Sequence, residues 1–205
     1  WKEYNKVSDY IKRMCQLITD TKNSASVAVI CREDRLPWEP ARPLFENQLE
    51  FNYLEAGLLE RCRISDKIKI EKQEYSALVI DDPDALSPEE IRLLNEFSGL
   101  KILYKCNTDV FENFAYASTD EEFVNIIKAN TPSDFSLSVP CPDLRVTHLI
   151  KGNVDFYIMS NEGDSEISFS VPSKKGEVWD PWEGTFSEFD GSIKLSGRQL
   201  LILVP

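Results

Sequence analysis

The residues whose types suit them to chemistry cluster after two apolar runs. Asp81, Asp82 and Asp84 follow the run ending at Ile80, and Glu33 and Asp34 follow the run at residues 25–31. Carboxylates at neighbouring strand ends supply the oxygen donors that Mg2+ takes, as in a receiver-type phospho-acceptor domain. The same aspartates also suit a strand end and the approach to a helix, where negative charge meets the positive end of the helix dipole. The sequence favours that second reading. Cys106 follows another apolar run, where amidotransferase-like domains present a nucleophile. A nucleophile elbow needs small neighbours and a histidine base, whereas Cys106 stands between Lys105 and Asn107 and the chain's one histidine, His148, lies more than 40 residues away. A bystander thiol is the better reading. His148 has no cysteine, histidine or carboxylate at zinc-ligand spacing.

Aromatic residues offer a different chemistry. Trp179 and Trp182 flank Asp180-Pro181, with Phe186 and Phe189 close behind, and Trp38 sits in a proline-rich stretch. Such rings can stack on sugar faces. Near a turn they more often anchor packing, and the expectation is that Trp179 and Trp182 pack against their own domain or an adjoining one. Trp38, Trp179 and Trp182 are thus the substrate-binding candidates. No catalytic residue and no metal ligand is assigned. The glycines before residue 131 are Gly57 and Gly99, too few for a phosphate-cradling loop, so no cofactor is expected.

These residues need elements to hold them. Tyr4, Val7, Ile11, Met14 and Ile18 recur at helical spacing, which predicts a helix over residues 3–20. Residues 25–31, ASVAVIC, predict a strand covered on both faces, followed by a loop at residues 32–43. A short helix, a strand at residues 49–54, a helical turn and an alternating ribbon around Ile64, Ile68 and Ile70 come next. The central unit is a strand through Ile80 and a helix with Ser87 at its N-cap, Pro88 at N1, Glu90 at N3 and Gly99 as its stop. A strand at residues 101–104 and a helix at residues 120–129 complete a strand-helix alternation that implies a parallel sheet. Six of the eight glycines lie beyond residue 131, and no helical period follows there. Short strands are expected at residues 135–139, 144–150, 154–159, 167–171, 176–179, 192–195 and 199–204. The predicted fold is α/β: a flavodoxin-like or amidotransferase-like parallel-sheet domain over residues 1–131, then a small antiparallel β-sandwich over residues 132–205.

Composition bounds the partners. The formal charge is -12, which argues against nucleic acid and anionic membranes, and no apolar run reaches the roughly 20 residues of a membrane span. Five cysteines without a CxxC pair, and no Asn-x-Ser/Thr acceptor, point to buried thiols and a cytoplasmic setting. The start at Trp1 reads as a cut from a longer polypeptide.

Two segments carry a family resemblance. HLIKGNVDFYIMSNE (residues 148–162) and EVWDPWEGT (residues 177–185) resemble the closing region of large α-L-rhamnosidase-type glycoside hydrolases, family 106 and its relatives. WKEYNKVSDYIKRMCQLI resembles the helix leaving the catalytic barrel of that family, and FNYLEAGLL with YSALVIDDPDALSPEEIRLLNEF the α/β domain that follows. Leu149 and Trp182 depart from the pattern, standing where a basic residue and a threonine are usual. The resemblance implies catalytic carboxylates in the barrel, outside this chain, and a non-catalytic accessory role beside that barrel. The alternatives are a carbohydrate-binding module, or a receiver- or amidotransferase-like domain with its own ligand.

Overall fold

The computed structural model describes residues 3–131, 135, 137, 139–171, 175–189 and 191–205. The chain opens with helix α1 (Tyr4–Ile18) and β1 (Lys22–Asn23). It continues through β2 (Val27–Cys31), α2 (Trp38–Glu46), β3 (Phe51–Glu55), β4 (Arg63–Ile64), β5 (Ile68–Ile70), β6 (Gln73–Tyr75) and β7 (Ala77–Ile80). Then come α3 (Pro88–Glu96), β8 (Leu100–Tyr104), β9 (Ala115–Ala117) and α4 (Asp120–Asn130). The remaining strands are β10 (Leu144–Lys151), β11 (Val154–Asn161), β12 (Ile167–Ser170), β13 (Gly176–Asp180), β14 (Thr185–Phe189), β15 (Ser192–Leu195) and β16 (Leu200–Val204).

The elements form two compact units, Ala25–Ser133 and Trp1–Ser24 with Asp134–Pro205. The first helix therefore groups with the late strands and not with the parallel layer expected over residues 1–131. The physical reason is a long-range strand pairing: after α1 the chain pairs Lys22 with Ile150 and Asn23 with Leu149, which ties the helix to β10.

In the unit Ala25–Ser133, five strands in the order β3-β2-β7-β8-β9 form an all-parallel sheet. Alternate side chains enter two cores. Ala28, Ile30, Leu78, Ile80 and Leu103 face one with Leu94 and Phe97, while Val27, Val29, Ala77, Val79 and Ile102 face the other with Leu44, Phe123 and Ile127. Burial on both faces is why these strands read as unbroken apolar runs. The small sheet β4-β5-β6 is antiparallel and supplies Ile68 and Tyr75 to the first core.

Several expectations change. The stretch at residues 32–43 is a loop only until Pro37; α2 begins at Trp38, with Pro37 as N-cap and Pro40 in the first turn, where a missing N–H leaves no intrahelical bond unmade. The capping box at Ser87 and Glu90 forms as expected, with the Glu90 carboxylate accepting from the Ser87 amide at 2.7 Å. Gly99 is not the left-handed stop: α3 ends at Glu96, and a Cβ at Gly99 would lie 2.3 Å from the Phe97 ring and 2.8 Å from the Asp66 carbonyl oxygen. Close packing, not a positive φ, demands the glycine. Strands β9 and β14 lie outside the expected segments. The strand expected at residues 135–139 falls partly on residues outside those described.

In the other unit, a six-stranded sheet runs β1-β10-β11-β16-β13-β14, and β12 pairs with β15. All these pairings are antiparallel. One face of the larger sheet sends Tyr157, Met159, Leu201 and Leu203 against Ile193 and Leu195 of β15. The opposite face sends Leu149, Phe156 and Ile202 towards Met14 and Leu17 of α1.

Candidate functional site

Open α/β sheets bind ligands at the carboxyl ends of their strands where the strand order reverses. Here that point lies between β2 and β7. It is filled by the protein itself. Arg35, in a turn bridged to Arg32, sets its guanidinium 2.8 Å from Asp81 Oδ2 and 3.4 Å from Asp82 Oδ2, and Arg32 donates to the Ala85 carbonyl at 2.7 Å. The space left is 10 Å3, about one water-sized sphere. Glu33 and Asp34 instead line a separate open groove with Glu55 and Glu90. The carboxylates of the receiver-type reading are therefore split, with Asp81 and Asp82 in the crevice and Glu33 and Asp34 in the groove. Among the described residues no group of three or more His, Cys, Asp or Glu is arranged to hold a metal.

Cys106 is held near the same sheet end, with its thiol 3.4 Å from the Ile80 carbonyl oxygen. Burial pushes the thiol up to about 11, helped by the negative charges of Asp81 and Asp82. A thiol so shifted is protonated at neutral pH and is a poor nucleophile. His148 is buried in the other unit, stacked on Tyr157 with ring centroids 4.4 Å apart and its Nε2 2.8 Å from Asp155 Oδ1.

The tryptophans divide. Trp38 opens α2, 54% exposed, with its ring 6.0 Å from that of Phe45. Trp179 and Trp182 belong to the other unit, the first in β13 and the second in the β13–β14 turn. Asp180 Oδ1 accepts from the amides of Trp182 at 2.9 Å and Glu183 at 3.0 Å, and the Gly184 amide donates to the Asp180 carbonyl at 2.8 Å. Helix α1 grips this turn. Arg13 Nη1 donates to the carbonyls of Pro181 at 2.8 Å and Trp182 at 3.2 Å, and Lys6 binds Glu183 at 2.7 Å. The Trp182 ring lies 5.4 Å from Tyr10, with the Lys6 ammonium also 5.4 Å from its centroid. Gly184 has φ +73°, and a Cβ there would sit 2.6 Å from the Arg13 guanidinium. The WDPWEG segment is thus a clamp for α1.

Trp179 is half-buried against the core beneath α1, and its indole N–H donates to Glu177 at 2.7 Å. Its other neighbours open a groove of 460 Å3 between α1 and the β13–β14 hairpin. Of the residues that make this groove, the sequence singled out the exposed Phe186 by type, but not Arg13, Gln16, Lys151 or Thr185. A turn glycine two residues after Trp182 was the available signal for a close approach; nothing local pointed to Arg13.

No protein-family model matches the chain, and no curated protein matches it. Solved structures do. The rhamnosidase from Novosphingobium sp. PP1Y is similar over 97% of this chain and 24% of its own, with a TM-score of 0.73 and 14% identity. The β-galactosidase from Bacillus circulans sp. alkalophilus is similar over 99% of this chain and 44% of its own, at TM-score 0.68 and 9% identity. The β-galactosidase from the psychrophilic Marinomonas ef1 is similar over 99% and 42%, at 0.61 and 12%. The fold is one that glycoside hydrolases contain. The chain spans less than half the length of each of these proteins.

Proposed function

We propose that the chain is a non-catalytic accessory region of a glycoside hydrolase, resembling the family 106 α-L-rhamnosidases and supporting a catalytic barrel of the same polypeptide. One observation carries the reading: the likeness to glycoside hydrolases runs through both units, yet leaves most of each matched protein outside it. The filled crevice at Asp81 and the protonated Cys106 support a region without chemistry of its own. The strand order β3-β2-β7-β8-β9 reads second-first-third-fourth-fifth, the flavodoxin-like order, and supports that description of the first layer. A core between the six-stranded sheet and β12-β15 supports a sandwich for the second. Free thiols at Cys15, Cys31, Cys62 and Cys106 favour a cytoplasmic setting, and the charge of -12 disfavours nucleic acid and anionic lipid. Among the described residues no helix is long and apolar enough to cross a membrane.

The face for the barrel is the outer stripe of α1. Tyr4, Val7, Ile11 and Ile18 share one side of the helix and are all exposed, while Met14 and Leu17 meet the sheet. Three measurements test the reading. The purified chain should release no nitrophenol from 4-nitrophenyl α-L-rhamnopyranoside or β-D-galactopyranoside. The parent coding sequence before Trp1 should encode repeated strands and helices with Glu or Asp at strand ends. Turnover by the chain alone, or a kinase or transporter in that place, overturns the proposal. In the parent, Val7→Glu with Ile11→Glu should lower the melting temperature, while the isolated chain should melt unchanged.

A further inference from the structure

We infer that the groove between α1 and the β13–β14 hairpin is a subsite for a neutral pyranose ring. Its floor is a single row across three strands: Ile202 of β16 pairs with Trp179 of β13, which pairs with Phe186 of β14. Cross-strand partners sit about 5 Å apart, so the two aromatic side chains present adjoining surface on one sheet face. Phe186 is 72% exposed, an aromatic left in water beside polar groups. At 460 Å3 the groove is within the range of small-molecule sites.

The rim supplies what a polyhydroxylated ring needs above such a floor. Arg13, Lys151 and Gln16 bring donors, and Asp180 and Thr185 bring acceptors. The charged members are held before any ligand arrives: Lys151 donates to the Gln16 carbonyl, Arg13 to two turn carbonyls, and Asp180 accepts from two turn amides. Fixed walls lower the ordering cost of binding. A purely aliphatic ligand would leave these donors and acceptors without new partners, whereas a pyranose sets its C–H face on the rings and its hydroxyls on the rim. Trp182 takes no part, since its ring is committed to Tyr10 and Lys6.

The test is a titration of the intact chain with methyl α-L-rhamnopyranoside, methyl β-D-galactopyranoside and, as a ring-free polyol, glycerol. Tryptophan fluorescence and amide chemical shifts report binding. The expected result is a saturable response to at least one pyranoside, with a dissociation constant on the order of millimolar, and none to glycerol. Phe186→Ala should weaken it at least about tenfold, and Thr185→Val should weaken it with the melting temperature unchanged. Phe186 is largely exposed on an edge strand, so its removal leaves the fold intact. No saturable response up to about 0.1 M, or a response indifferent to Phe186→Ala, overturns the assignment. The inference is independent of the accessory role, which the chromogenic substrates and the parent sequence test separately.

Discussion

Replacing Gly184 by alanine tests the clamp on α1. Gly184 has φ +73°, where a Cβ costs roughly 1–2 kcal/mol in any setting. The added carbon would also stand 2.6 Å from Arg13 Nη2, 2.7 Å from Cζ and 2.9 Å from Nε. The guanidinium is the free end of a flexible side chain, so it moves rather than the backbone. Moving costs its bonds to the Pro181 and Trp182 carbonyls, which at a solvent-exposed site contribute about 1–2 kcal/mol together. The expected loss is therefore about 2–4 kcal/mol. Gly152 provides the control, because its φ of +62° carries the same conformational penalty while an added Cβ would meet nothing within 4 Å. Urea unfolding of both variants, followed by tryptophan fluorescence, isolates the Arg13 contribution as the difference. Equal losses for Gly184→Ala and Gly152→Ala would mean that the clamp adds nothing, and the account of the WDPWEG segment would fail.

Two further outcomes follow from titratable groups that the fold partly or wholly removes from water. Lys101 is 3% exposed, its ammonium donating to the Phe97 carbonyl at 3.0 Å, and burial lowers its pKa. Between that lowered value and the ordinary value near 10.4 the unfolded chain holds a proton that the folded one lacks, so stability rises with pH across that window. Lys101→Met should stabilise at pH 7 by about 1 kcal/mol, with the advantage shrinking as pH approaches 10.4; parallel pH profiles for the two proteins would refute this. Cys106, raised to about 11 by burial and the nearby aspartates, holds about one part in 10^4 as thiolate at pH 7. Mass spectrometry after brief iodoacetamide treatment should find Cys15 modified and Cys106 intact until pH nears 11, and comparable labelling at pH 7 would count against the burial argument.

The legible parts of this fold were those set by local chemistry. Ser87, Pro88 and Glu90 announced a helix start because the capping box is made within four residues. The runs at β2 and β7 announced a parallel sheet because burial on both faces removes polar alternation. What failed was non-local. α1 carries an apolar stripe that says it packs but not on which unit, and that choice is made by β1 meeting β10, more than a hundred residues later. Gly99 looked like a helix stop because its position fits one, while its cause is the Phe97 ring and the Asp66 carbonyl folding over it. The candidate site followed the same rule. Trp179, Trp182 and Phe186 stood out by type as aromatic residues near a turn, but Arg13, which fixes that turn, has no local signature, and the exposure of Phe186 depends on β14, which was not foreseen.

The parallel layer and the antiparallel unit also differ in what they leave open. In the parallel layer the crevice between β2 and β7 is the position where a ligand would sit, and it is occupied by Arg35, whose guanidinium neutralises Asp81 and Asp82 as a bound cation would. Strand-end carboxylates there are consumed by structure, so the layer keeps the geometry of a binding fold without its opening. In the antiparallel unit the reverse holds. The turn residues Asp180 and Gly184 and the helix residue Arg13 are tied to one another, and the space beside them stays open with Phe186 in water. An element that binds must be rigid where it is polar and open where it is apolar. Only the groove at Trp179 meets both conditions among the sites described, so the proposed ligand belongs there and not at the acidic cluster after Ile80.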